Sequence, residues 1–187
     1  MHTLFQLFQQ PHKRLWAAFC FLFVGLTACS TTPPTGIQAV SPFALDRYLG
    51  QWYEIARLDH SFEGGLTNVS AQYRLKTDGD VEVINRGFDN KKQIWKSATG
   101  KARFTGDANR DSLKVSFFGP FYGGYHVMAL DQTDYRWAMV VGPNRDYLWI
   151  LCRDKHLPSG VREQLVELAQ QSGIDTSQLI WVEHNAS

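Results

Sequence analysis

Three cysteines occur in the 187 residues, Cys20, Cys29 and Cys152, a scarcity that excludes a disulfide-stapled scaffold. The core must hold by burial. Charge of one sign is lacking too: 19 Lys and Arg stand against 18 Asp and Glu, so there is no broad basic footprint for nucleic acid. Nucleic-acid binding is therefore not expected. The apolar run near the N-terminus, Leu15 to Leu26, is too short to span a bilayer as a mature helix. His60, His126, His156 and His184 fall in no metal-ligand spacing, and no nucleophile stands beside a base, so neither a metal centre, a cofactor nor an enzyme is expected. With 44% hydrophobic and 20% charged residues, the chain has the composition of one globular domain of ordinary size.

Lys13 and Arg14 are the only charged residues before Cys29, and they precede the Leu15 to Leu26 run, which ends in small residues. That order reads as a secretory signal. The tetrapeptide Leu26-Thr27-Ala28-Cys29 resembles the lipobox of bacterial lipoproteins, which implies cleavage before Cys29 and acylation of its thiol and new amine. Three acyl chains exceed the two signals that stable anchoring needs. Ser30 after the cysteine, in place of an Asp, favours the outer membrane under enterobacterial-type sorting. The expected organisation is a signal peptide over 1–28, a lipidated N-terminus and flexible Pro/Thr/Ser-rich tether over 29–41, and one domain over 42–184.

Past the tether, short alternating segments recur at intervals of about ten residues, separated by turn chemistry at Thr77-Asp78-Gly79-Asp80, Gly106-Asp107-Ala108-Asn109 and Gly142-Pro143-Asn144. Strands are expected over 51–58, 69–76, 81–88, 94–105, 111–118, 123–130, 135–142 and 147–153. The period then changes. Ser159 is the expected N-cap of a helix whose stripe is Val161, Leu165 and Leu168 and whose stop is Gly173, and Leu179 to Val182 reads as a last short strand.

Eight antiparallel strands followed by one C-terminal helix resemble the up-and-down β-barrel of the lipocalin family, and the motifs agree. Gly50-Gln51-Trp52 resembles the family's first-strand G-x-W, Thr133-Asp134-Tyr135 its T-D-Y turn and Arg153 the arginine ending the last barrel strand. Ala138 falls one residue early for that turn, and Asp131 is the alternative aspartate. The blocks from Tyr48 to Arg57, Phe117 to Tyr125 and Arg145 to Leu151 are similar to bacterial outer-membrane lipocalins of the Blc type, relatives of apolipoprotein D. The resemblance implies an outer-membrane lipoprotein, its barrel in the periplasm, that binds fatty acids or lysophospholipids for storage or transport in envelope maintenance. A homodimer is a further property it allows. An envelope scaffold with an incidental cavity is the alternative.

An even-stranded up-and-down barrel puts Gly50, Trp52 and Arg153 at one end, where guanidinium stacking on indole would close it. Parity from Trp52 and Arg153 places Glu54, Ala56, Ala71, Tyr73, Val83, Asn85, Ala98, Ala102, Phe104, Phe117, Tyr125, Val127, Val140, Tyr147 and Trp149 inside, as ligand-lining positions. Cys152 has the opposite parity and should point outward as an inert buried thiol. The mouth should carry Phe62, Phe121 and Tyr122 beside Lys91, Lys92 and Arg145, with Asp59 to Asn68 as a Gly-rich lid.

Overall fold

The computed structural model describes residues 30–105, 112–118 and 120–185; the expected signal peptide, Cys29 and the expected turn at Gly106-Asp107-Ala108-Asn109 lie outside them. Nine strands follow in chain order: β1 (Gly50–Leu58), β2 (Leu66–Leu75), β3 (Val81–Asp89), β4 (Ile94–Phe104), β5 (Ser112–Phe118), β6 (Phe121–Leu130), β7 (Trp137–Val141), β8 (Leu148–Cys152) and β9 (Leu179–Trp181). Each of β1 to β7 pairs antiparallel with the next, and β1 also pairs with β8, so the first eight close into a barrel. Strand β9 adds to the upper half of β1 through Ala56↔Trp181 and Leu58↔Leu179. A short helix that alternation does not reveal, α1 (Leu45–Tyr48), precedes β1, and α2 (Val161–Gln171) follows β8.

Two apolar clusters divide the molecule. Inside the barrel lie Trp52, Tyr73, Val83, Leu113, Val127, Val140 and Leu151, capped below by Tyr48 of α1. Outside it, Val161, Leu165 and Ala169 of α2 cover Ile55, Met139, Val141, Leu148, Ile150 and Cys152. Cys152 therefore does point away from the lumen, its thiol donating to the His156 carbonyl at 3.3 Å. Burial pushes that thiol up, which leaves it protonated and inert at neutral pH.

Several boundaries move for local reasons. Strand β2 starts at Leu66 rather than at residue 69, because an irregularity between Thr67 and Ser70, with Asn68 at φ 51°, lets the strand resume pairing nearer the mouth. Strand β7 starts at Trp137 because Tyr135 adopts φ 55° in the preceding turn. The N-cap of α2 is Gly160, at φ 78°, instead of Ser159. In the turn before β7, the Asp131 carboxylate accepts N–H bonds from Thr133, Asp134 and Arg136, so Asp131 holds the turn. Residues 30–41 are not a free tether: Gly124 N–H donates to the Ser30 carbonyl at 2.9 Å, Val40 N–H to Val127 at 2.8 Å, and Ile37 is buried.

One end of the barrel is sealed around Trp52. The Arg153 guanidinium lies 3.8 Å over the indole and donates to the carbonyls of Gln51, Arg47 and Tyr135. Trp52 Nε1–H donates to the Tyr48 carbonyl at 2.8 Å. Gly50 sits at φ 94°, and a Cβ there would come within 3.4 Å of Arg153. Arg153→Ala should lower unfolding free energy by about 3 kcal/mol, combining a desolvated cation-π contact with charged hydrogen bonds to backbone. Urea denaturation measures the loss; a double-mutant cycle with Trp52→Ala that returns no coupling would show that the two side chains do not act as a pair.

Candidate functional site

Opposite that seal the barrel opens, and the cross-strand register defines what faces its lumen. Trp52, Ala71, Asn85 and Ala98 form one ladder across β1 to β4, and Val127, Val140, Trp149 and Arg57 another across β6, β7, β8 and β1. Val83, Ala102, Phe104, Phe117 and Tyr125 belong to the same interior cluster. Ala98 is exposed although its register puts it inside, and Ala71 and Asn85 are half-buried. The lumen is therefore open along β2 to β4. Its floor is a hydroxyl cluster in which Tyr125 Oη lies 2.7 Å from Tyr48 Oη and 2.8 Å from Tyr73 Oη.

Ala56 is the expected lining residue that the structure moves. A bulge between Glu54 and Ala56 inserts Ile55, so alternation along β1 reverses there and Ala56 pairs with Ile150 under α2. Arg57 turns inward in its place, 1% exposed. Its Nη1 donates to Glu54 Oε1 at 2.8 Å and its Nη2 to the Glu63 carbonyl at 3.0 Å. Glu63 belongs to the β1–β2 loop, folds into the mouth and accepts from Trp149 Nε1 at 2.9 Å. On the same loop His60 stacks on Tyr147 with ring centroids 3.9 Å apart. The loop is thus latched over part of the opening by one aromatic and two polar contacts.

Burial raises the Glu54 carboxyl to about 8, with the neighbouring Glu63 adding to the rise and Arg57 opposing it. Burial shifts Glu63 upward as well, while the Trp149 hydrogen bond and Arg57 pull it down. Burial thus favours the protonated form of a carboxyl that is hydrogen-bonded to Arg57, and the two make a polar spot in an otherwise apolar wall.

The mouth residues separate on inspection. Phe62 and Phe121 are exposed at the rim, as are Lys91 and Lys92, whose backbone N–H groups donate to Asp89 Oδ1. Arg145 is not a mouth cation: it donates to the Ser172 and Thr35 carbonyls, tying the end of α2 and the N-terminal segment to the β7–β8 turn. Tyr122 lies on the outer wall, its ring 5.4 Å from Lys114 Nζ. Sequence reasoning did not reach Arg57, Glu63, His60 or Tyr48. No alternation signals the bulge that turns Arg57 inward, and loop and helix residues have no barrel parity to read.

Among the described residues no group of three or more His, Cys, Asp or Glu is placed to hold a metal ion. The sequence model of the lipocalin-like domain family matches residues 43–184. The chain belongs to the lipocalin family. It is 49% identical to the outer membrane lipoprotein Blc of Escherichia coli (strain K12) over 92% of this chain and 97% of that one. The outer membrane lipoprotein Blc of Vibrio cholerae is 49% identical over 80% of this chain and 88% of its own. Insecticyanin of the tobacco hornworm Manduca sexta superposes with a TM-score of 0.62 at 22% identity, covering 82% of this lipocalin and 86% of that structure, a likeness of fold alone.

The raised carboxyl predicts a pH dependence of stability. Folded protein keeps a proton on Glu54 that the unfolded chain releases near its ordinary value of 4.5, so stability should decline as pH rises from there towards about 8 and then level. Glu54→Gln, which keeps an acceptor for Arg57, should flatten the upper part of that decline. Urea midpoints at pH 5, 7 and 9 read it; an identical slope in the variant would assign the titration to another group.

Proposed function

We propose that this lipocalin is an outer-membrane lipoprotein that holds single-chain acyl lipids, fatty acids or lysophospholipids, in its barrel, serving lipid storage or transport in the cell envelope. The observation that carries the reading is the open lumen bounded by Ala71, Asn85 and Ala98, with Arg57, Glu54 and Glu63 grouped under the mouth loop. The tail would lie against Val83, Phe104, Val127 and Val140, and the head at the wet end beside Lys91 and Lys92. Burying ten methylenes at about 0.8 kcal/mol each supplies about 8 kcal/mol against an association cost of about 4 kcal/mol or more, so micromolar binding needs a preformed lumen and a contribution from the head. The names of the curated relatives and the lipobox at Cys29 support the anchor and the outer membrane. The barrel on the periplasmic side and a homodimer belong to the same proposal. Binding rather than catalysis is the role, since Cys152 is inert and faces away from the lumen.

Displacement of a fluorescent fatty acid from delipidated, unacylated protein tests the site. Ala71→Trp and Ala98→Trp should each weaken long-chain binding about tenfold or more by filling the lumen, and unchanged affinity in both would place the site outside the barrel. The anchor has its own test. Cys29→Ser should abolish acyl labelling and the lipoprotein-specific cleavage, and identical processing of the two precursors would remove the anchor from the reading.

A further inference from the structure

Four of the exposed large apolar side chains share one end of the molecule. Phe62 is 60% exposed in the β1–β2 loop, Ile94 and Trp95 are 49% and 44% exposed where β4 leaves the β3–β4 turn, and Phe121 is 71% exposed after the β5–β6 turn. Three consecutive turns of the mouth therefore present large apolar groups to solvent. A soluble domain with nothing to meet at that end would leave such a cluster unexplained. Lys91 and Lys92 stand exposed on the middle one of these turns, and below them Lys96 is paired with Asp89 at 2.7 Å. The exposed rim carboxylates are Asp59, on the loop that carries Phe62 and 3.8 Å from Arg57 Nε, and Asp146, on the β7–β8 turn.

The N-terminal segment ends near the same rim. Val40 bonds to Val127, deep on β6, whereas Ser30 bonds to Gly124, so the chain climbs towards the mouth as it runs back to its N-terminus. Gly124 lies three residues along β6 from Phe121, about 10 Å at strand rise. The approach requires glycine: a Cβ at position 124 would meet His126 Nε2 at 2.4 Å and the Ser30 carbonyl at 3.1 Å. Beneath the segment His126 is fully buried, its Nδ1 bonded to Ser112 Oγ. The contact is built, and Cys29 is the residue that precedes Ser30 in the chain.

We propose that the barrel docks mouth-down on a phospholipid bilayer with anionic headgroups, its rim of Phe62, Ile94, Trp95 and Phe121 entering the interface while Lys91 and Lys92 meet the headgroups. The geometry rests on the acylated Cys29 of the proposed function and extends it: the anchor holds the opening against the membrane instead of suspending the domain on a slack linker. Aromatic and aliphatic side chains supply the interfacial burial, and lysines add a salt-sensitive attraction to anionic lipid. A lipid would then pass between bilayer and lumen without crossing bulk water.

Two measurements test this. In the first, the acylated full-length lipoprotein is reconstituted into vesicles of phosphatidylethanolamine and phosphatidylglycerol, with a fluorophore attached through Asn90→Cys at the mouth or Asp78→Cys at the closed end. Brominated lipid should quench the mouth label strongly and leave the closed-end label unquenched. Equal quenching, or the reverse order, overturns the orientation. In the second, unacylated residues 30–187, which include every described strand and helix, are sedimented with the same vesicles. Phe62→Glu with Phe121→Glu should lower partitioning about tenfold or more, whereas Leu75→Glu, an exposed apolar site at the closed end, should not. Equal partitioning of the rim and control variants, or a rim-to-rim dimer in solution with no vesicle binding, overturns the docking surface. A chain that proves unacylated by mass spectrometry leaves the second measurement intact, and loss of fatty-acid displacement would count against the lumen reading without altering either result.

Discussion

The guanidinium of Arg153 is the constraint on which the barrel's asymmetry depends. A closed sheet has two ends, and each leaves backbone carbonyls facing the lumen or solvent. Arg153 satisfies three of these, from Gln51, Arg47 and Tyr135, while covering the Trp52 indole. Planarity matters here, since a lysine ammonium has neither the flat face for the indole nor the fork for three carbonyls. With one end sealed in this way, the interior opens at the other, where Arg57, Glu54 and Glu63 are grouped.

Strand β1 serves both ends, and the Ile55 bulge is what permits it. Below the bulge, Trp52 and Glu54 face inward; above it the faces exchange, Ala56 joins the helix-side cluster and Arg57 enters the lumen. A regular strand would have put Ala56 into the lumen and Arg57 under α2, where a charge between apolar layers would be costly. The bulge brings a cation to the wet half of the barrel, where Glu54 Oε1, the Glu63 carbonyl and the more distant Leu66 carbonyl accept its N–H hydrogen bonds. Burial and the nearby Glu63 favour the protonated form of Glu54, while Arg57, 2.8 Å away, favours the charged form.

Alternation and turn chemistry carried most of the architecture. Eight strands, the C-terminal helix and the outward parity of Cys152 follow from period and order, whereas the closing pair Trp52 and Arg153 came from the resemblance to lipocalin motifs and strand order only placed the two at one end. Interior positions on β2 to β8 were legible for the same reason. Legibility fails where the chain breaks period. The shift at Ile55 misplaces Ala56 and hides Arg57; the lid is shorter than its Gly-rich sequence suggests because β2 resumes at Leu66; Arg145 has a loop's charge but a cap's role. Residues 30–41 read as a linker on composition alone, since their order comes from backbone bonds to β6 that no side-chain pattern encodes.

The latch over the mouth and the polar spot inside it are one structure, and that links binding to opening. Glu63 contributes its carbonyl to Arg57 and its carboxylate to Trp149, so a head group cannot reach Arg57 without competing with the loop that covers it. A ligand able to bond Arg57 would replace the contacts that hold the loop inward, whereas an apolar molecule lacking such a head would have to break them without substitution. Under the proposed function, discrimination between an amphiphile and a plain hydrocarbon would reside in the loop's own hydrogen bonds. Because those bonds lie at the end opposite Arg153, the loop can exchange partners while the seal, and the barrel closed by it, stays in place.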